Sequence, residues 1–154
     1  MLDPSLFLST TTTESTSTQL DPVPKGEFLA LSEPVTQESF QSFDIKKGEN
    51  AGKKGWRLNV VWKITDEAAG EYKGRKVRQQ LWLELTSDGA GIDMGKGKNI
   101  SLGRLREALG QNTNGQPWNP SMLGSQPARI SVVQRLDDND SSKIYNDVEA
   151  VAKI

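Results

Sequence analysis

The sequence predicts a mostly β domain: a five-stranded antiparallel barrel with one helix between its third and fourth strands, preceded by a disordered N-terminal arm. Three observations predict it. Two long segments, Trp56–Ile64 and Lys76–Leu85, alternate between apolar and polar residues, the period-two pattern of half-buried strands. The strand-like and helix-like stretches fall in the order three strands, one helix, two strands. Ahead of them, residues 9–19 form a Ser/Thr-rich tract that holds no apolar residue.

That tract cannot bury enough apolar surface to offset its ordering entropy. Residues 1–22 are therefore expected to form a flexible arm, with Leu2, Leu6, Phe7 and Leu8 as a small docking motif, and residues 23–154 the domain. A first strand opens at Pro24-Lys-Gly26 and runs to about Val35, with Pro34 marking its edge or end. A polar stretch anchored by Phe40, Phe43 and Ile45 follows, then a Lys- and Gly-rich loop from Lys46 to Gly55. The two alternating strands come next, joined through residues 65–75. A Gly-rich connector, Ser87–Asn99, leads to a helix from about Ser101 to Leu109. Leu102, Leu105 and Leu109 share one face of that helix, Asn99 or Ser101 is its N-cap, and Gly110 is its stop. Ala128–Arg135 and Ile144–Val151 are the last two strands, joined by an acidic turn at Asp137–Ser142.

Strand-strand-strand-helix-strand-strand is the connectivity of the five-stranded OB barrel, an oligonucleotide- and oligosaccharide-binding architecture. An open antiparallel sheet with one packed helix is the alternative. The long strands, none obviously protected as an edge, favour closure.

Composition narrows the chemistry. The chain contains neither Cys nor His, which removes disulfides, zinc-thiolate sites and the usual general base. This argues against the familiar Ser-His, Cys-His and zinc-hydrolase mechanisms and leaves open a carboxylate- or Lys-based enzyme. No clustered acidic motif supports a carboxylate-dependent nuclease, so a non-enzymatic protein without a cofactor is expected. No apolar run approaches the ~20 residues of a membrane span, and the N-terminus lacks the basic and apolar stretches of a secretory signal. These features predict a cytosolic protein. The net charge of −1 hides an asymmetry. Residues 46–106 hold 14 Lys or Arg against 7 Asp or Glu, while the rest of the chain holds 5 against 13. A basic middle within an acidic chain points to a local anion-binding surface.

The two alternating strands carry that surface. Trp56, Leu58, Val60, Trp62 and Ile64 point one way with Val77, Gln79, Leu81, Leu83 and Leu85, and are assigned to the core. Arg57, Asn59, Lys63, Arg78, Gln80 and Trp82 point the other way. Lys53, Lys54, Tyr72, Lys73, Arg75 and Lys76 surround them. On an OB barrel, single strands lie across the face of strands two and three. Exposed aromatics there stack bases while Lys and Arg follow phosphates. Trp82 is the first stacking candidate and Tyr72 the second.

Other motifs carry less. Gly89–Asn99 resembles a phosphate-cradling loop but lacks P-loop spacing, since Lys96 has Ala90 six residues before it. A flexible connector is the simpler reading. Asp138, Asp140, Ser142 and Glu149 match calcium-loop positions, yet Lys143 stands where such a loop needs Gly. No metal is assigned. Arg104 and Arg106 are expected on the solvated side of the helix.

Residues 74–86 (GRKVRQQLWLELT), 93–99 (DMGKGKN) and 102–110 (LGRLREALG) resemble a family of small phage-encoded single-stranded DNA-binding proteins. The resemblance spans about residues 22–154. It implies an OB-like fold and a role on exposed single strands in phage DNA replication or recombination, within the host cytoplasm. Single-stranded DNA is the implied partner, with self-association or contacts to phage replication proteins beside it and no membrane. Many bacterial-type single-stranded DNA-binding proteins recruit partners through an acidic C-terminal tip, whereas this sequence ends Val-Glu-Ala-Val-Ala-Lys-Ile, so recruitment through such a tip is not expected. The competing function class is a structural virion or assembly protein, a capsid-associated or decorating subunit. Such a protein would use the same face and the arm for protein contacts.

Overall fold

The computed structural model describes residues 3–17 and 20–154. Six strands form one sheet: β1 (Gly26–Ser32), β2 (Phe40–Asp44), β3 (Lys54–Ile64), β4 (Lys76–Leu83), β5 (Pro127–Leu136) and β6 (Ile144–Ala152). Their hydrogen-bonded order is β1-β5-β6-β4-β3-β2, and β1 also pairs with β3. Five strands thus close a ring of pairings, while β2 sits outside it on β3. The length of β3, 11 residues, makes this arrangement work. Its first half pairs with β2, from Asp44↔Lys54 to Phe40↔Leu58, and its end pairs with β1, from Ser32↔Trp62 to Ala30↔Ile64. β4 runs antiparallel along nearly all of it, from Trp56↔Leu83 to Lys63↔Lys76.

Two features depart from the sequence expectation. Phe40–Asp44 is a strand, not a polar connector. It is short, and its aromatics at 40 and 43 fall on opposite faces, so no period-two signal marks it. The pairing is also not antiparallel throughout, because β4 and β6 are parallel, registered at Arg78↔Asp147. A ring of five strands cannot alternate direction all the way round, so one adjacent pair must run parallel.

The core follows the alternation. Leu58, Val60, Trp62 and Ile64 of β3 pack with Val77 and Leu81 of β4, Ile130 and Val132 of β5, and Val148 of β6. The helix α2 (Ile100–Ala108) follows β4 in the chain and packs on β6. It contributes Leu102 and Leu105, each worth about 1.5–3 kcal/mol of burial. It ends as expected at Gly110 (φ 71°), whose N–H meets Glu107 O while Gln111 N–H meets Arg106 O at 2.7 Å. This is the double-bonded glycine stop that satisfies two of the last carbonyls. Its start differs. Asn99 holds the N-cap position in a left-handed conformation without capping. Its side chain instead accepts from Glu84 N–H and donates to the carbonyls of Glu84 and Asp93, each at 2.8 Å. The 84–99 connector is thereby tied to the end of β4.

Among the described residues the arm contains one short helix, α1 (Ser5–Ser9), and residues 3–17 are exposed, Leu6, Phe7 and Leu8 included. Leu2 lies outside the described residues. The chain joins the domain at Val23, which is buried. Its N–H donates to Asn146 Oδ1 and its carbonyl accepts from Asn146 Nδ2, both at 2.8 Å. Among the described residues, no helix is long and apolar enough to cross a membrane.

One polar pair sits inside the core: Trp62 Nε1 donates to Gln79 Oε1 at 3.0 Å. Gln79→Leu should cost about 1–3 kcal/mol in urea denaturation, because it strands the buried indole N–H. Adding Trp62→Phe should recover part of that loss.

Candidate nucleic-acid interface

Cross-strand register brings the outward side chains together. Arg57 stands opposite Trp82, Asn59 opposite Gln80, Val61 opposite Arg78 and Lys63 opposite Lys76. β2 adds a third strand to this face, with Gln41 opposite Arg57 and Phe43 opposite Gly55. Trp82 is 58% exposed. Phe43 meets it edge to face with ring centroids 5.0 Å apart, and the Arg57 guanidinium carbon lies 5.4 Å from its centroid. Such contacts orient a ring and leave much of its area to solvent.

Gly55 makes the Phe43 contact possible. A Cβ at this position would lie 2.3 Å from the Phe43 ring, so the ring rests directly on the glycine backbone. Beside it, Gln41 Oε1 accepts from Arg57 Nη2 and, at 3.0 Å, from Asn59 Nδ2. Asn59 is 9% exposed. Its Oδ1 and Arg57 Nε are buried and have no hydrogen-bond partner among the described residues.

The face has a second end about 20 Å away, six residues along β4 at ~3.3 Å each. A groove there is lined by Leu20, Pro22, Val61, Arg75, Lys76, Arg78 and Tyr145, among others. With its amide turned so that oxygen faces the guanidinium, Gln80 accepts from Arg78 Nη2 at 2.7 Å. Across the β4–β6 seam, Asp147 is held by Arg135 Nε at 2.7 Å, and Arg135 lies over the Tyr145 ring at 5.3 Å. Asp137 accepts from Asn139 N–H at 2.8 Å. This bond, then the Tyr145 hydroxyl, lowers the Asp137 carboxyl below its usual range, and the same contact raises the Tyr145 phenol. The β5–β6 hairpin is thus an acidic rim beside a basic groove.

Three of the expected lysines are ion-paired, and some expected residues lie off the face. Lys54 pairs with Asp44 at 2.8 Å, Lys76 with Glu33 at 2.7 Å, and Lys73 with Glu67. These exposed pairs each offset part of the local positive charge. Lys53 and Lys54 border a separate cleft between the β2–β3 turn and the 84–98 segment, with Lys98 on its other wall. Tyr72, the second stacking candidate, is half-buried and packs against the core from the β3–β4 connection. It stands at the far end of the strands from Trp82.

Two further assignments are corrected. Trp62 is fully buried as expected, but Trp56 is 37% exposed. It points inward, yet at the start of β3 it meets only the rim of the core, in a shallow depression with Phe40, Leu83, Leu85 and Ile92. Arg106 is not simply solvated. Its guanidinium lies 4.2 Å over the Trp118 ring and donates to Gln111 O, locking the end of α2.

Sequence reading missed Gln41 and Phe43. The signal for Phe43 was Gly55, since a glycine at the start of a strand often marks close approach by something bulky. No protein-family model matches the chain, and no curated protein matches it.

Gly55→Ala should push Phe43 off its seat, raise acrylamide quenching of Trp82 and cost about 1–3 kcal/mol of stability. Combining it with Phe43→Ala should relieve the clash and recover part of the stability.

Proposed function

We propose that this protein binds single-stranded DNA without catalysis, in phage DNA replication or recombination, through the β3–β4 face. Phosphates would be neutralised by Arg57, Lys63, Arg75 and Arg78, with Trp82 stacking a base. The observation that carries the reading is Trp82 itself: a tryptophan more than half exposed near the end of β4, braced by Phe43 and flanked by guanidinium. A ring left exposed in this way suits a ligand with a flat π-face.

The ring order supports it. With β2 set aside, the pairings run β1-β3-β4-β6-β5 and return to β1, β4 and β6 are parallel, and a helix separates β4 from β5. We read this as the OB connectivity, in which the β3–β4 face is the oligonucleotide surface. The resemblance to small phage single-stranded DNA-binding proteins leads to the same partner.

A virion or assembly role is the second reading. It is favoured by the exposed Leu6, Phe7 and Leu8 on α1, which suit a clasp on a neighbouring subunit. An arm seen threading an adjacent subunit would decide for it.

Titration of tryptophan fluorescence with oligo-dT at two salt concentrations tests the DNA reading. Affinity should fall with salt at a log–log slope of about −0.7 per phosphate neutralised. Trp82→Ala should weaken binding by about 1–3 kcal/mol, and Trp82→Phe should abolish most of the quenching. Salt-independent binding that survives both Trp82→Ala and an Arg57/Arg78 double substitution would refute it.

A further inference from the structure

On a face that only stacks bases and neutralises phosphates, bases would be told apart only by stacking strength. The Gln41–Arg57–Asn59 cluster adds a hydrogen-bonding site beside the stacking ring. Two donors from different residues, Arg57 Nη2 and Asn59 Nδ2, converge on the single oxygen Gln41 Oε1. Next to that oxygen position, Asn59 Oδ1 is buried and unpartnered among the described residues, as is Arg57 Nε. Leaving a buried acceptor unpaired is costly, and Asn59 is more than nine-tenths buried, so its amide cannot turn to water.

Gln41 is the movable member. It is exposed and belongs to β2, which lies outside the ring and, among the described residues, pairs only with β3. When its side chain swings away, the site it vacates has a definite chemistry: two donors aimed at one acceptor, with one acceptor alongside. A carbonyl oxygen has two lone pairs and can take both donors, whereas a ring nitrogen has one. The neighbouring Asn59 Oδ1 then requires an N–H beside that carbonyl.

We propose that Arg57 and Asn59 read the lactam edge of thymine or guanine beside Trp82, with Gln41 occupying the site internally until a base displaces it. Thymine offers O4 beside N3–H, and guanine offers O6 beside N1–H. Cytosine places the N3 acceptor beside its carbonyl, facing Asn59 Oδ1, and adenine has no carbonyl. Trp82 stands across from Arg57 on one side and Gln41 across from it on the other, so the cluster lies one strand over from the stacking ring. The inference rests on the face being a single-stranded DNA surface, and it adds a base preference to that reading.

The test uses abasic oligodeoxynucleotides carrying one base, titrated by tryptophan fluorescence. Comparing guanine with adenine, and thymine with cytosine, cancels most of the difference in stacking area. Guanine should outbind adenine, and thymine cytosine, by about five- to a hundredfold, the range of a good two-point base contact. Asn59→Val should bring both ratios close to one. Gln41→Ala, at an exposed position where folding is not at stake, should keep both ratios and tighten binding of the lactam bases. Equal affinities within both pairs, or ratios that survive Asn59→Val, would overturn the lactam site while leaving DNA binding in place. Failure of every oligonucleotide, oligo-dT included, to bind would overturn both.

Discussion

Five strands cannot close a ring with every neighbour antiparallel, and the rest of this structure answers that constraint. The parallel contact falls between β4 and β6, where a single registered pair, Arg78↔Asp147, spans the seam. A parallel connection needs a crossover, and the chain supplies one through α2 and β5 before β6 arrives. α2 packs on β6 and places Leu102 and Leu105 in the core. The seam also divides the outer surface by charge. Arg75, Lys76 and Arg78 stand on one side of it, and Asp147 with the acidic hairpin on the other.

β3 is the second determinant. It is long enough to serve the ring and still carry an additional strand, so the outer face becomes three strands wide at the Trp82 end. There Gly55, Phe43, Gln41 and Asn59 form one packed unit: the glycine seats the Phe43 ring, that ring braces Trp82, and Gln41 joins Arg57 to Asn59. The face is therefore a shaped surface at one end and an open basic groove at the other.

The elements with strong periodicity were legible in the sequence, and those defined by tertiary partners were not. β3, β4, β5, β6 and α2 were placed to within a residue or two, because alternation and the Leu102/Leu105/Leu109 stripe report burial directly. β2 was invisible because its five residues earn their place by pairing with β3, not by a pattern of their own. The inward side of Trp56 was read correctly and its burial was not, since parity says which way a side chain points and nothing about what covers it. Asn99 and Arg106 were misjudged for a related reason. Their partners, Glu84 and Asp93 for one, Trp118 and Gln111 for the other, are set by how loops return to the helix ends. For the proposed interface, the outward residues of β3 and β4 were identifiable. The ion pairs that engage Lys54, Lys73 and Lys76 were not.

The anchoring of Val23 has a mechanical consequence. One side-chain amide, Asn146, takes both its N–H and its carbonyl, as a neighbouring strand would, and Gln134 adds a third bond to that carbonyl at 3.1 Å. Val23 is thereby stitched to β6 at the residue preceding Asp147 and to β5 through Gln134. A load on the chain ahead of β1 is shared among three strands of the ring before it reaches the core.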